Sequence, residues 1–252
     1  FYSSALPHLY RFVLEQSLEF SKEALNDHLK TLRMRGRPKI MLARTYEEAM
    51  SIYKTYEDNI LGIVSDMSFM RAGAKDNLAG FKLASYVKRR NPHLPIILES
   101  SEVTNRCFAQ ELRTSFIPKN SKSYPQDLRR EIMQNFGFGD FVILNPENGQ
   151  EVMRIKNLKD LQQKLFDIPN TSLRYHLAHN HFSRFFFSRA MFPPAQILKN
   201  IDVLDYVDME DARRLIADLI ASYRKMKNEG VVAIYQKERF DEYANFARIG
   251  NG

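Results

Sequence analysis

Three short apolar runs in this chain each end on a residue able to do chemistry: "GIVSD" on Asp66, "PIILES" on Ser100 and "SFIPK" just past its end on Lys119. Short apolar runs bounded by turn-forming residues read as buried strands. In a parallel sheet the functional groups gather at the carboxyl ends of the strands, so the three side chains are expected to converge on one edge. There the carboxylate can act as a nucleophile and form an acyl phosphate. The ammonium neutralises charge on the phosphoryl oxygens, and the hydroxyl hydrogen-bonds one of them. A divalent cation, usually Mg²⁺, would bridge carboxylate and phosphoryl group. Singly, each residue has a plain structural reading: Asp66 caps a turn, Ser100 ends a strand, and Lys119 covers apolar surface with its stem. Their joint order carries the chemical reading.

The elements around these residues alternate. Leu6, Leu9, Val13, Phe20, Ala24 and Leu32 recur at mostly three- and four-residue steps and predict a long amphipathic helix over 6–32, ended by "RGRP" at 35–38. "KIMLA" (39–43) predicts a buried strand, and 45–58 a helix opened by Thr45 with Glu48 three residues on. Further strands are expected at 60–66, 95–100 and 115–119, with helices at 80–90, 105–113 and 125–136. Strands alternating with helices imply parallel pairing with right-handed crossovers. Residues 1–137 therefore read as a doubly wound parallel α/β domain. "GFG" (137–139) breaks the pattern, and "FVILNPENGQEVMRI" (141–155) predicts a β-hairpin. Residues 138–252 are otherwise expected to be mainly helical, at 157–166, around 171–190, after Pro193-Pro194, and at 208–228.

Composition narrows the classes. The 252 residues are 44% hydrophobic and 27% charged, as in a folded globular chain. No apolar run approaches the length of a membrane helix, and no secretory leader opens the chain. A single cysteine, Cys107, excludes an internal disulfide framework and fits a reducing cytoplasm. The net charge of +7 raises nucleic acid as a partner, with "RMRGRPK" (33–39) and "VKRR" (87–90) the only clusters. Clusters of this size most often belong to solvated turns and helix ends. The chain opens on Phe1, as an excised piece of a longer protein would.

Residues 38–136 resemble a bacterial response-regulator receiver domain from its second strand onward. The resemblance is carried by "GIVSD", by "AGFKLASYVKRRNPHLPIILESS" and by "FIPKNS". It implies a flavodoxin-like architecture lacking its first strand, with Asp66 as phospho-acceptor, Ser100 as switch hydroxyl and Lys119 as the phosphate-contacting lysine. Phe116 stands near the switch aromatic of such domains. Mg²⁺ would be held through Asp66, but the acidic pair that normally completes that site is absent from the chain and is expected upstream of Phe1. The sequence departs from the pattern elsewhere too: Met67–Ala79 is longer than usual and forms a lid, Pro118 precedes rather than follows Lys119, and helix 6–32 is about twice the usual length.

The second half, through "RYHLAHNHFSRFFFSRAMF" and "FDEYANFARIGNG", resembles the region before the nucleotide-binding domain of bacterial phosphoenolpyruvate synthase-like proteins. That likeness implies a regulatory fragment, not itself an enzyme, coupled to a downstream phosphotransferase domain. A histidine kinase as phosphate donor and a homodimer through helix 6–32 are further partners expected of the chain. His176, His179 and His181 have a spacing able to share a metal, but no cysteine or carboxylate nearby completes a ligand set, and the adjacent phenylalanines favour packing. The rival reading is a receiver fold that has lost its chemistry and serves as a constitutive interaction module. A nucleic-acid binder and a free-standing enzyme are weaker alternatives.

Overall fold

The structure, a computed structural model, describes residues 5–22 and 36–235, with side chains for 5–20 and 36–224. Helix α1 (Ala5–Lys22) buries Ala5, Leu9, Phe12 and Phe20, the face its periodicity predicted; residues 23–35 of the expected 6–32 helix lie outside the described residues. Helix α2 (Tyr46–Tyr56) starts where Thr45 accepts a hydrogen bond from the Glu48 N–H at 3.2 Å, while Glu48 accepts from the Arg44 N–H at 2.6 Å. These bonds satisfy donors that a bare helix start leaves unpaired.

Strands β1 (Ile63–Asp66), β4 (Ile96–Ser100) and β5 (Ser115–Pro118) form a parallel three-stranded sheet in the order β1-β4-β5. Helix α3 (Ala79–Arg90) connects the first pair. A 3-10 turn (Val103–Asn105) and α4 (Arg106–Glu111) connect the second. Helix α5 (Tyr124–Asn135) follows β5. The molecule is thus mixed α/β with a parallel sheet.

Central β4 is buried along its whole length because helices cover both faces. Ile97 and Ile117 pack with α1 and α5 on one side; Ile96 and Leu98 pack with α2, α3 and α4 on the other. Helices α1 and α5 are further joined by the Glu15–Arg129 ion pair at 2.9 Å.

One expectation for this half is corrected. Residues 39–43 form no strand; Met41 and Leu42 stay 44% and 41% exposed, and β1 pairs with β4 alone. Apolar character makes a segment fit for a strand, but a strand also needs a neighbouring edge to bond, and 39–43 has none among the described residues. The longer Met67–Ala79 segment contains a small antiparallel hairpin of β2 (Phe69–Arg71) and β3 (Ala74–Asp76). Its turn uses positive φ at Ala72 and Gly73. Asp76 anchors it, its carboxyl held down to about 2 mainly by Lys82, 2.7 Å away.

The second half has its own core. Strands β6 (Phe141–Leu144) and β7 (Glu151–Ile155) pair as the predicted antiparallel hairpin. Helix α6 (Leu158–Lys164) and a 3-10 turn at Leu165–Asp167 follow. The region 171–190 is two helices, α7 (Asn170–Ala178) and α8 (His181–Ser188), broken where Asn180 adopts a left-handed conformation at φ 57°. Helix α9 (Phe192–Lys199) takes both prolines in its first turn, where their missing N–H groups cost nothing, and α10 spans Met209–Tyr235. Phe182, Phe185 and Phe186, all at most 1% exposed, centre this core with Ile143, Leu161 and Ile216.

The two halves meet around Gly137, whose φ is +83°, and a Cβ there would stand 2.7 Å from the Arg184 carbonyl oxygen. Lys199 also reaches back to Asp58 at 2.8 Å, and Arg184 donates to the His93 carbonyl oxygen.

Candidate functional site

Asp66 is the last residue of β1, Ser100 the last of β4, and Lys119 follows β5 directly. The parallel register therefore brings all three to one sheet edge. The Lys119 ammonium donates to Asp66 Oδ2, and the two side chains are 23% and 33% exposed. The carboxylate is thus charge-compensated yet open to solvent. Its Oδ1 faces the Ser68 N–H at 3.4 Å. The Lys119 N–H donates to the Ser100 carbonyl oxygen at 2.8 Å, which fixes the lysine backbone against β4.

Ser100 is placed differently from Asp66. Paired residues of a sheet share a face and alternate along each strand. Asp66 and Glu99 are register partners, as are Ser100 and Pro118, so Ser100 projects from the opposite side of the pleat. Its hydroxyl, 6% exposed, accepts from the Glu102 N–H at 3.1 Å and from Asn105 Nδ2 at 2.9 Å. No direct bond between Ser100 and Asp66 occurs among the described residues. Phe116 lies on β5 opposite Leu98 with the Arg106 guanidinium 5.2 Å over its ring, and it packs against the α3 side of the sheet.

The sequence reading missed Glu99. This residue is 0% exposed and accepts from the Tyr124 hydroxyl at 2.6 Å, while its second oxygen has no hydrogen-bond partner among the described residues. Burial pushes its carboxyl up to about 7, against the opposing pull of Tyr124 and Lys119, and the same burial raises the Tyr124 phenol. A carboxyl inside the apolar run "IILES" was the available signal, because a buried acid requires a partner; the partner lies 25 residues on. Glu99 faces the α1–α5 side of the sheet beside Asp66, so its ionisation changes the charge felt at Asp66.

The donor set is a poor match for a divalent cation. Asp66 already faces an ammonium, Glu99 is turned into the protein toward Tyr124, and no group of three His, Cys, Asp or Glu residues suited to a metal occurs among the described residues. Mg²⁺ at Asp66 would need further carboxylates from outside this set.

Close approach of backbones shapes the edge. A Cβ at Gly80, the second residue of α3, would stand 2.1 Å from the Asp66 carbonyl oxygen. Gly80→Ala is therefore expected to push α3 off β1 and to cost about 1–3 kcal/mol. Urea denaturation checks this, and an unchanged midpoint would refute the contact.

The three second-half histidines form a cluster with His93. His176 Nδ1 and His181 Nδ1 are 2.7 Å apart, and His176 Nε2 accepts from the Leu144 N–H at 2.9 Å. The His179 ring meets that of His93 at 4.9 Å. Burial holds His176 down to about 4 and His181 down to about 2, so both rings are neutral packing groups. Of the basic clusters, residues 33–35 lie outside the described residues. In the second, Arg90 is engaged by Glu57 at 3.2 Å and Lys88 by the Pro92 carbonyl oxygen at 2.9 Å.

Among the described residues no helix is long and apolar enough to cross a membrane. No family model matches the chain, nor does any curated protein or any solved structure.

Proposed function

We propose that the chain is a receiver-type phospho-acceptor module coupled to a helical output half, within a phosphoenolpyruvate synthase-like protein. The observation that carries this reading is the Lys119–Asp66 contact at the carboxyl edge of a parallel sheet. An Asp66 oxygen attacks the phosphorus of a donor phosphate; the new O–P bond forms as the bond to the donor's leaving group breaks. Lys119 then follows the charge from the carboxylate to a phosphoryl oxygen. The Ser100 hydroxyl, now held by Glu102 and Asn105, would have to leave those partners to reach the phosphate. That exchange would move the loop at 102–105 and shift the balance between two conformations. No step here is routed through a metal.

The test is intact-mass spectrometry after incubation with acetyl phosphate, with and without Mg²⁺. One added phosphoryl group is expected on the wild type and none on Asp66→Asn. Lys119→Ala is expected to lower the yield at least about tenfold, the scale for losing a positioned charge. An adduct that survives Asp66→Asn would sink the assignment.

One observation favours the second reading, a constitutive interaction module. Tyr10, Leu14 and Leu18 lie at four-residue steps on α1 and are 54%, 44% and 48% exposed, an apolar stripe of the kind that pairs helices. On that reading Asp66→Asn leaves self-association unchanged, while Leu14→Glu reduces it.

A further inference from the structure

Around His93, the seam between the two halves gathers basic groups. Its first-half side is the turn after α3, closed where the Leu94 N–H donates to the Asn91 carbonyl oxygen at 3.2 Å. Two cations converge on this turn and take consecutive carbonyl oxygens. Lys88 Nζ donates to that of Pro92 at 2.9 Å, and the Arg184 guanidinium reaches over from α8 to that of His93. The His93 ring meets His179 edge to face at 4.9 Å, and Tyr175 lies against His179 at 4.2 Å.

Carbonyl dipoles answer only part of this charge. An ammonium has three N–H donors and a guanidinium five, yet Lys88 and Arg184 each make one hydrogen bond among the described residues. Burial, with Arg184 beside it, holds the Lys88 ammonium below its usual range, and burial pushes the Arg184 guanidinium down to about 10. His93 is held down by burial and then by His179, Arg184 and Lys88. No carboxylate acts on any of these three among the described residues.

Withdrawing cations from water is costly unless an opposite charge meets them, and here none does. A place in the last turn of α3 suits Lys88 by itself, since a helix end favours a cation there. It does not account for Arg184, which comes from the other half. His179 adds a further donor: its Nδ1 must donate to the Tyr175 carbonyl oxygen at 2.7 Å, so Nε2 is the atom that gains a proton when an anion approaches.

We propose that this part of the seam binds a phosphate group, as the free ion or a small phosphomonoester, held by Lys88 and Arg184 with His93 and His179 beside it. The planar guanidinium takes two oxygens and the ammonium a third. The site lies at the amino end of β4, a strand of five residues, and so about 16 Å from the edge that bears Ser100. It is separate from Asp66 and does not depend on whether Asp66 accepts a phosphate. Because its groups come from both halves, a bound phosphate adds a link between them.

The test is a titration of the whole chain with inorganic phosphate, and separately with glycerol phosphate, at fixed pH and at an ionic strength held constant with chloride. The imidazole C–H resonances are followed by NMR. Those of His93 and His179 are expected to shift along a saturating curve with a midpoint at about 1 mM or lower, while His8 on α1 does not follow it. The probe that binds more tightly identifies the source of the phosphate group. Lys88→Gln keeps a donor for the Pro92 carbonyl oxygen and is expected to weaken binding at least about fivefold. Arg184→Gln is expected to weaken it at least about tenfold.

A drift that stays linear to about 50 mM of either probe, or equal shifts with chloride alone, would overturn the proposal. Both are read on the wild type, so the test stands even if Arg184→Gln fails to fold. A curve that saturates unchanged in Lys88→Gln would overturn it as well, by placing the phosphate elsewhere.

Discussion

Arg189→Met is expected to destabilise the chain by about 2–4 kcal/mol, the combined cost of stripping buried carbonyls of their donor and losing two cation–π contacts. The Arg189 side chain is 3% exposed. Its guanidinium donates to the carbonyl oxygens of Gly137 at 2.9 Å, Gly139 at 3.1 Å and Phe185 at 3.2 Å. It also lies 3.7 Å over the Phe185 ring and 4.5 Å from that of Phe20. One side chain therefore ties α1, the connection at 137–139 and α8 together. Methionine keeps the stem volume but donates nothing. The Gly139 carbonyl loses its guanidinium donor, whereas Gly137 keeps the Ser188 hydroxyl at 2.6 Å.

An unsatisfied buried acceptor costs about 1–3 kcal/mol, and the lost cation–π contacts add to that. For a chain of this size the melting temperature should fall by roughly 10 °C. Lysine at the same position should recover only part of the loss, because a point charge cannot reach several carbonyls as a planar fork does. A loss below about 1 kcal/mol in urea denaturation would show that the halves are held together elsewhere, through Lys199–Asp58 or Arg184–His93.

The arrangement of the sheet edge was legible in the sequence because it depends on strand ends. "GIVSD", "PIILES" and "SFIPK" become β1, β4 and β5 with the expected order of Asp66, Ser100 and Lys119. Periodicity also placed α2, α3 and α5 within a residue or two of their ends. Two of the failures share one physical origin: they depend on a partner distant in sequence. Residues 39–43 have strand composition but no edge to bond. Glu99 reads as an anomaly in an apolar run until Tyr124 is brought beside it. The hairpin at 69–76 is built from strands of three residues, too short to show alternation, and only Gly73 marks its turn. The break between α7 and α8 had a local signal in "HNH", since asparagine tolerates the left-handed conformation better than most residues, but the aromatic periodicity on both sides masked it.

Glu99 connects the site to the sheet core. With its carboxyl near 7, it changes charge close to neutral pH, on the same face of the sheet as Asp66. Tyr124 stabilises the ionised form by donation, whereas burial and the Asp66 charge oppose it. The balance makes Lys119 answer to two carboxylates when Glu99 is ionised and effectively to one when it is protonated, so the hold of its ammonium on Asp66 changes with the Glu99 proton.

Acid is expected to unfold the second half first, and His176 and His181 are the reason. The Leu144 N–H can only donate, so His176 Nε2 must accept and carries no proton. Neutral His176 then bears its proton on Nδ1 and donates it to His181 Nδ1, which leaves the His181 proton on Nε2. A second proton has no tolerable position: on His176 Nε2 it would face the Leu144 N–H, and on His181 Nδ1 it would face the His176 Nδ1–H. His179, His93 and the buried cation Arg184 surround the pair, and no carboxylate compensates among the groups that act on it.

Both folded pKa values lie below the unfolded value of about 6.5. The stabilising effect is thus fully present above pH 6.5 and is lost as pH falls, because the unfolded chain takes up protons that the folded one refuses. For His176, held to about 4, the loss between pH 6.5 and 4.5 is about 2 kcal/mol at 1.36 kcal/mol per pH unit; His181, held lower still, adds a comparable share. Urea denaturation at pH 7.5 and 4.5 measures the difference directly. His176→Gln keeps an acceptor for Leu144 and a donor for His181 without a titrating ring, and it should remove the His176 share of the pH dependence, about half of it. If the variant loses as much stability in acid as the wild type, the dependence belongs to other groups, and the histidine pair is an inert part of the core.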